Sequence, residues 1–72
     1  MNKEVILVKI GLKIREFRKE KNLSIMEFSD KLEIEYNNLI RIEKGRTNFT
    51  IGTLLKICKA LDVKLVDIVN VE

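Results

Sequence analysis

Residues 36–44 of this 72-residue chain bring together side chains whose hydrogen-bonding groups suit the edges of nucleic-acid bases. If the segment is a helix with Tyr36 at 0°, Asn37 falls at about 100°, Arg41 at about 140° and Lys44 at about 80°. An arginine can donate two hydrogen bonds to guanine, and an asparagine can pair with adenine. The spacing therefore predicts a base-reading helix face. The alternative is an ordinary polar surface, with Tyr36 packed on the preceding helix.

The element that carries these side chains is predicted to be the second helix of a helix-turn-helix unit at 24–45. Ser24 and Glu27 have the spacing of a capping box, which opens the first helix of the unit. The second helix is predicted over 35–44 and stops at Gly45. In such units the second helix enters the major groove of DNA, although any short helical hairpin shares this outline.

Helical spacing of apolar residues recurs along the chain, and no stretch alternates as a strand does. The chain has no proline and only three glycines. Helices are predicted over about residues 3–21, 25–32, 35–44, 51–61 and 65–69. Thr50 is expected to cap the fourth helix, whose predicted inner face consists of Leu54, Leu55, Ile57, Cys58 and Leu61. The fold class is therefore all-α, a compact five-helix bundle in one domain spanning 1–72.

Two charged residues are predicted to lie on inward helix arcs. Arg18 falls within the apolar arc of the first helix, close to Ile14, and Glu43 falls on the same side of its helix as Leu39. A buried charge is tolerated only when it is paired and hydrogen-bonded. An Arg18–Glu43 ion pair between the first and third helices would satisfy both groups. The alternative is that both side chains extend to solvent.

The composition argues against an enzyme and against a membrane protein. With no histidine and one cysteine, the chain has no metal-ligand cluster and no histidine-activated nucleophile, so no cofactor or metal is expected. The longest apolar run, residues 5–8, is far shorter than a membrane span. The N-terminus does not have the pattern of a signal peptide, because Lys9, Lys13 and Arg15 follow this run and a small-residue cleavage site does not. The net charge of +3 comes from basic segments at 1–21 and 41–50 that flank an acidic one. We expect a cytoplasmic binding domain, with Cys58 as a core residue.

Several segments together resemble the Cro/C1-type, xenobiotic-response-element family of helix-turn-helix regulators. They are IREFR at 14–18, LSIMEFS at 23–29, LIRIEKGR at 39–46, NFTI at 48–51 and LLKICKAL at 54–61. The resemblance covers about residues 10–69 and implies a lambda-repressor-like fold. Stand-alone restriction–modification controller proteins are slightly more similar than phage repressors or antitoxins.

The resemblance also implies roles for individual residues. The implied base-reading residues are Tyr36, Asn37, Asn38 and Arg41. The implied phosphate-binding residues are Ile25, Lys44, Arg46 and Asn48. Glutamine is frequent in the family at the position of Ile25, and isoleucine in its place can donate only through its backbone N–H. In the family, the residues matching Arg18 and Glu43 form the salt bridge argued above. Glu33 and Glu35 depart from the pattern, because a small residue and a serine or threonine cap usually occupy those positions.

We therefore expect a sequence-specific DNA-binding regulator, a repressor or controller, acting as a homodimer on a pseudo-palindromic operator. Double-stranded DNA is the expected partner, and no small-molecule effector is evident. The expected dimer surface consists of Leu65, Val66, Val69 and Val71. A second apolar stripe on the first helix, Val5, Val8 and Leu12, is the other candidate, unless the C-terminal segment covers it. The alternative function is an antitoxin-like or other protein-interaction module that keeps the fold.

Overall fold

The computed structural model describes residues 2–70, and these form five helices without a strand. The helices are α1 (Lys3–Glu20), α2 (Ile25–Leu32), α3 (Tyr36–Glu43), α4 (Ile51–Leu61) and α5 (Leu65–Val69). The predicted all-α, five-helix fold is confirmed. The predicted second helix of the unit is one residue shorter at each end, because Glu35 and Lys44 are its caps.

Three helices begin with a side chain that satisfies a free backbone N–H of the first turn. Asn2 caps α1 through its side-chain oxygen. At α2 the predicted capping box is present, with Ser24 N–H donating to Glu27 at 2.9 Å and Glu27 N–H donating to Ser24 Oγ at 3.0 Å. Thr50 caps α4 by accepting from Thr53 N–H at 3.1 Å, as predicted. These caps define where each helix starts.

Four helices are followed by a residue in the left-handed region, which reverses the chain within a few residues. These residues are Asn22 (φ 58°), Glu33 (φ 56°), Gly45 (φ 69°) and Asp62 (φ 56°). Gly45 was predicted as a helix stop, because glycine adopts this conformation without strain. Asparagine and aspartate tolerate it better than other residues with a Cβ, so Glu33 is the most strained of the four.

The core is formed by apolar side chains from all five helices. Its buried members are Ile10, Ile14, Phe28, Leu32, Leu39, Ile42, Leu54, Ile57, Cys58, Leu61 and Ile68. The prediction that Leu55 belongs to the inner face of α4 is wrong, since Leu55 is 50% exposed. Positions 54, 57, 58 and 61 follow the helical repeat and face the core. Leu55 comes one residue after Leu54, so its side chain is rotated by about 100° from that of Leu54, toward solvent. Cys58 is buried as predicted, and burial together with the nearby charge of Asp67 raises the pKa of its thiol.

The position of α3 is set by a backbone-to-backbone contact with α1. Gly11 is buried, and a Cβ added there would lie 2.6 Å from the carbonyl oxygen of Ile42 and would also collide with the carbonyl of Glu43. A Cβ on Gly45 would lie 2.5 Å from the Cα of Val8. Only glycine permits such an approach, so two glycines hold the last turn of α3 against α1.

Candidate nucleic-acid interface

Arg18 and Glu43 form a buried ion pair that ties α1 to α3. Arg18 Nε donates to Glu43 Oε2 at 2.7 Å and Arg18 Nη2 donates to Glu43 Oε1 at 3.2 Å. Their side chains are only 8% and 5% exposed. Arg18 Nη1 also donates to the carbonyl of Leu23 at 2.7 Å, so the same guanidinium holds the link between α1 and α2. One arginine thus fixes the start of the helix-turn-helix unit relative to α3.

With this anchor on one side, α3 turns its polar side outward. Leu39, Ile42 and Glu43 are buried. On the other side, Tyr36 is 42% exposed and the side chain of Arg41 is 52% exposed. Tyr36 is therefore no core residue of this fold.

The asparagines of α3 differ in exposure. Asn37 is exposed and lies in the same helical turn as Tyr36, whereas Asn38 is half-buried. Of the four residues predicted to read bases, the structure brings Tyr36, Asn37 and Arg41 to the open surface and leaves Asn38 at its edge.

The end of α3 places two cations beside this exposed side. Gly45 N–H donates to the carbonyl of Ile42 at 3.1 Å, and Arg46 N–H donates to the carbonyl of Arg41 at 2.9 Å. These two bonds form a Schellman motif, which closes the helix and fixes the direction of the following loop. Lys44 and Arg46 are both exposed, one before and one after Gly45.

Two open clefts surround the predicted phosphate-binding residues. The first lies between α1, the start of α2 and α3, and it is lined by Arg15, Arg18, Ile25, Ile40, Glu43 and Lys44. The second lies between the start of α1 and the loop after α3, and it is lined by Lys3, Glu4, Leu7, Gly45, Arg46, Thr47 and Asn48. Arg15 and Lys3 were not predicted individually as phosphate-binding residues, although the excess of basic over acidic residues in 1–21 indicated cations there.

The start of α2 leaves backbone donors beside the first cleft. The capping box uses the N–H groups of Ser24 and Glu27, and it lowers the pKa of the Glu27 carboxyl, mainly through the bond from the Ser24 N–H. No hydrogen bond within residues 2–70 uses the N–H of Ile25 or Met26. Free N–H groups in the first turn of a helix favour an anion such as a phosphate.

Both apolar surfaces that were predicted as candidates for a dimer interface are exposed within residues 2–70. On α5, Leu65 is 37% exposed, Val66 57% and Val69 38%, while the predicted Val71 lies outside the described residues. On α1, the three stripe residues Val5, Val8 and Leu12 are 40–47% exposed. The described part of the C-terminal segment does not cover the α1 stripe.

The described part of the chain has neither a membrane-spanning helix nor a cluster of metal ligands. No helix there has the length and apolar character to cross a membrane. Nor do three or more His, Cys, Asp or Glu side chains in this part form a group that could hold a metal ion.

Comparison with known proteins gives the same picture of the fold. The structure is similar to the restriction-modification controller protein C.AhdI from Aeromonas hydrophila, with a TM-score of 0.82 and 29% identity over 86% of this chain and 94% of that one. The clp gene regulator ClgR from Corynebacterium glutamicum shares the fold, with a TM-score of 0.83 and 24% identity over 88% of this chain and 67% of that one. A hypothetical transcription factor, NHTF from Neisseria, does so with a TM-score of 0.85 and 19% identity, covering 96% and 79%.

No curated protein sequence matches the chain. The profile of one family, described as the Cro/C1-type HTH DNA-binding domain, matches residues 13–72, which includes the ion pair, the exposed side of α3 and the loop that follows it. The chain belongs to the Cro/C1-type helix-turn-helix DNA-binding domain family.

Proposed function

We propose that the protein is a sequence-specific transcriptional regulator that reads the major groove with α3. The observation that carries this proposal is the exposed set of Tyr36, Asn37 and Arg41 on a helix whose other side is held in the core. An arginine and an asparagine in this arrangement can each make two hydrogen bonds to a purine. The Arg18–Glu43 pair contributes by fixing α3, so that these side chains meet the bases in one orientation.

Phosphate contacts would position α3 over the groove. Lys44, Arg46 and Asn48 follow the proposed base-reading residues along the chain, and Ile25, whose N–H is free, lines the same cleft as Lys44. Contacts to phosphates from both edges of a recognition helix set its register without reading sequence. We add Arg15 and Lys3 to the proposed phosphate-contacting residues. Arg15 then acts with Ile25 and Lys44 in the first cleft, and Lys3 acts with Arg46 and Asn48 in the second.

A dimer fits this function better than a monomer. A helix of eight residues contacts too few bases to select one site in a genome, and two copies about one DNA turn apart, roughly 34–36 Å, read a palindromic site. Two-fold dimers dominate among small homo-oligomers. We propose that Leu65, Val66 and Val69 of α5, with Val71, form the dimer surface.

The experiment that tests base reading is selection of bound sequences from a pool of random DNA duplexes. An enriched sequence with two-fold symmetry supports the proposal. Replacing Arg41 with alanine should then cost roughly 1–3 kcal/mol and relax the preference at one base position. The matched control, Lys44→Ala, should weaken binding to every sequence about equally. A pool without enrichment would favour the alternative, a protein-interaction module with the same fold.

The dimer is tested by sedimentation velocity on two paired variants. Val66→Asp with Val69→Asp should give a folded monomer, because charges replace exposed apolar groups on α5. The matched control, Val5→Asp with Val8→Asp on α1, should remain a dimer. The opposite result would move the interface to α1, and a wild-type monomer at high concentration would contradict the dimer itself.

A further inference from the structure

A carboxylate lies beside the principal base-reading side chain. Glu35 Oε1 is 3.9 Å from Arg41 Nη2, and the two side chains are 72% and 52% exposed. Within residues 2–70 this is the one ion pair besides Arg18–Glu43. At 3.9 Å the contact is electrostatic and is too long for a hydrogen bond. All five N–H donors of Arg41 therefore remain available to a ligand.

Glu35 is free to make this contact because it does not cap its own helix. It occupies the N-cap position of α3 with extended backbone angles, but its side chain accepts no hydrogen bond from the first turn. Serine, threonine, aspartate or asparagine would accept such a bond and keep the side chain at the helix end. The Glu35 side chain instead extends from the helix end toward Arg41, and its negative charge lies on the same exposed side of the protein as Arg41.

We propose that Glu35 is a specificity-determining residue that acts through Arg41. It holds the guanidinium away from the phosphate backbone and directs it to a guanine edge. The inference rests on the proposed function of α3, and it adds a residue that itself need not touch a base.

The physical reason is that Arg41 has different binding partners on DNA with the operator sequence and on DNA without it. On a duplex without the operator sequence, Arg41 has only phosphates to bind, and moving the guanidinium to a phosphate separates it from Glu35 while leaving the carboxylate near negative charge. On the operator, Arg41 binds guanine in the groove and its ion pair with Glu35 can be kept. Like-charge contacts of this kind reduce binding to wrong partners more than they alter binding to the right one.

The test compares Glu35→Gln with the matched control Glu33→Gln. Glu33 is an exposed acid in the same turn, and it forms no ion pair with any residue in 2–70. Each variant is titrated against two duplexes, one selected by the wild-type protein from a random pool and one of scrambled sequence. Circular dichroism confirms that each variant is folded.

We expect Glu35→Gln to tighten binding to the scrambled duplex and to lower the ratio of specific to nonspecific affinity by about two- to five-fold. This range is the change in affinity that corresponds to the free energy contributed by one exposed ion pair. Glu33→Gln should change both affinities by one common factor and leave the ratio unchanged. In an Arg41→Ala background, Glu35→Gln should no longer change the ratio.

Two results would overturn the inference. One is that Glu35→Gln changes the affinities for both duplexes by the same factor. Glu35 would then act only as a nonspecific negative charge, as is expected of Glu33. The other is an unchanged effect of Glu35→Gln when Arg41 is alanine, which would separate the two residues. If the wild-type protein selects no duplex, the proposed function itself fails, and that outcome is visible before any variant is made.

Discussion

Replacing Glu43 with alanine should destabilise the whole fold, although the residue is in the helix that we assign to DNA reading. The carboxylate accepts two hydrogen bonds from Arg18, at 2.7 Å and 3.2 Å, and both side chains are more than nine-tenths buried. Without Glu43, the Arg18 charge is left in the interior. Its bond to the Leu23 carbonyl remains, but a neutral carbonyl does not balance a cation.

The size of this effect follows from burial. Breaking a buried ion pair by removing one partner costs about 3–5 kcal/mol. The remaining Leu23 bond places Glu43→Ala at the lower end, about 3 kcal/mol. A domain of this length has a total stability of about 4–11 kcal/mol. Since about 1 kcal/mol shifts the melting temperature of such a domain by about 4–8 °C, the expected fall is about 12–24 °C.

The assay is thermal and urea unfolding followed by circular dichroism. Glu35→Ala is the matched control, because its carboxylate is 72% exposed and its loss should change stability by less than about 0.5 kcal/mol. Replacing both partners with apolar residues, Arg18→Met with Glu43→Leu, should recover much of the loss. A melting temperature for Glu43→Ala within about 2 °C of the wild type would refute the reasoning.

Three further predictions concern the backbone and the capping box. Gly11→Ala should destabilise the fold by more than about 1 kcal/mol, because its Cβ would collide with backbone carbonyls of α3. The control Gly52→Ala should be neutral or stabilising, since the nearest neighbour of its Cβ would be 3.6 Å away. Equal unfolding curves for the two variants would contradict the close approach of α1 and α3. Glu33→Gly should stabilise the protein by up to about 1 kcal/mol in urea unfolding, because glycine adopts a φ of 56° without strain, and a loss of stability would count against it. Glu27 has a lowered pKa in the folded protein, so its contribution to stability is complete above the ordinary pKa of 4.5 and is lost as the pH falls through the lowered value. Glu27→Gln should therefore flatten this part of the curve of stability against pH. An unchanged curve would show that the capping box is not the source of this pH dependence.

Much of the fold could be predicted because its signals are local. The Ser24–Glu27 capping box, the Thr50 cap and the Gly45 stop depend on residues three or four positions apart, and each is present in the structure. The meeting of Arg18 and Glu43 could be anticipated for a different reason. A charge on an apolar arc needs a partner, and the sequence offers one of opposite sign on another inward arc.

The features that could not be predicted depend on the relative placement of helices. Gly11 lies within a regular helix, and nothing in its neighbours along the chain shows that α3 passes against it. The left-handed conformation of Glu33 is imposed by the tight link between α2 and α3, against the preference of the residue itself. The contact of Glu35 with Arg41 needs the exact direction of two long side chains. Leu55 was misassigned because an apolar residue beside a core position looks like a core residue.

The central claim is that α3 and the cations around it bind duplex DNA, and the salt dependence of binding tests it most directly. If Lys3, Arg15, Lys44 and Arg46 each displace a counterion, a dimer makes about eight such contacts, and log K should fall with log salt with a slope of about −7. Affinity should then drop by about 10⁴-fold between 50 and 200 mM salt. Lys44→Ala should reduce the slope by about two units for the dimer. Absence of duplex binding at low salt, or an affinity that does not change with salt, would contradict the claim.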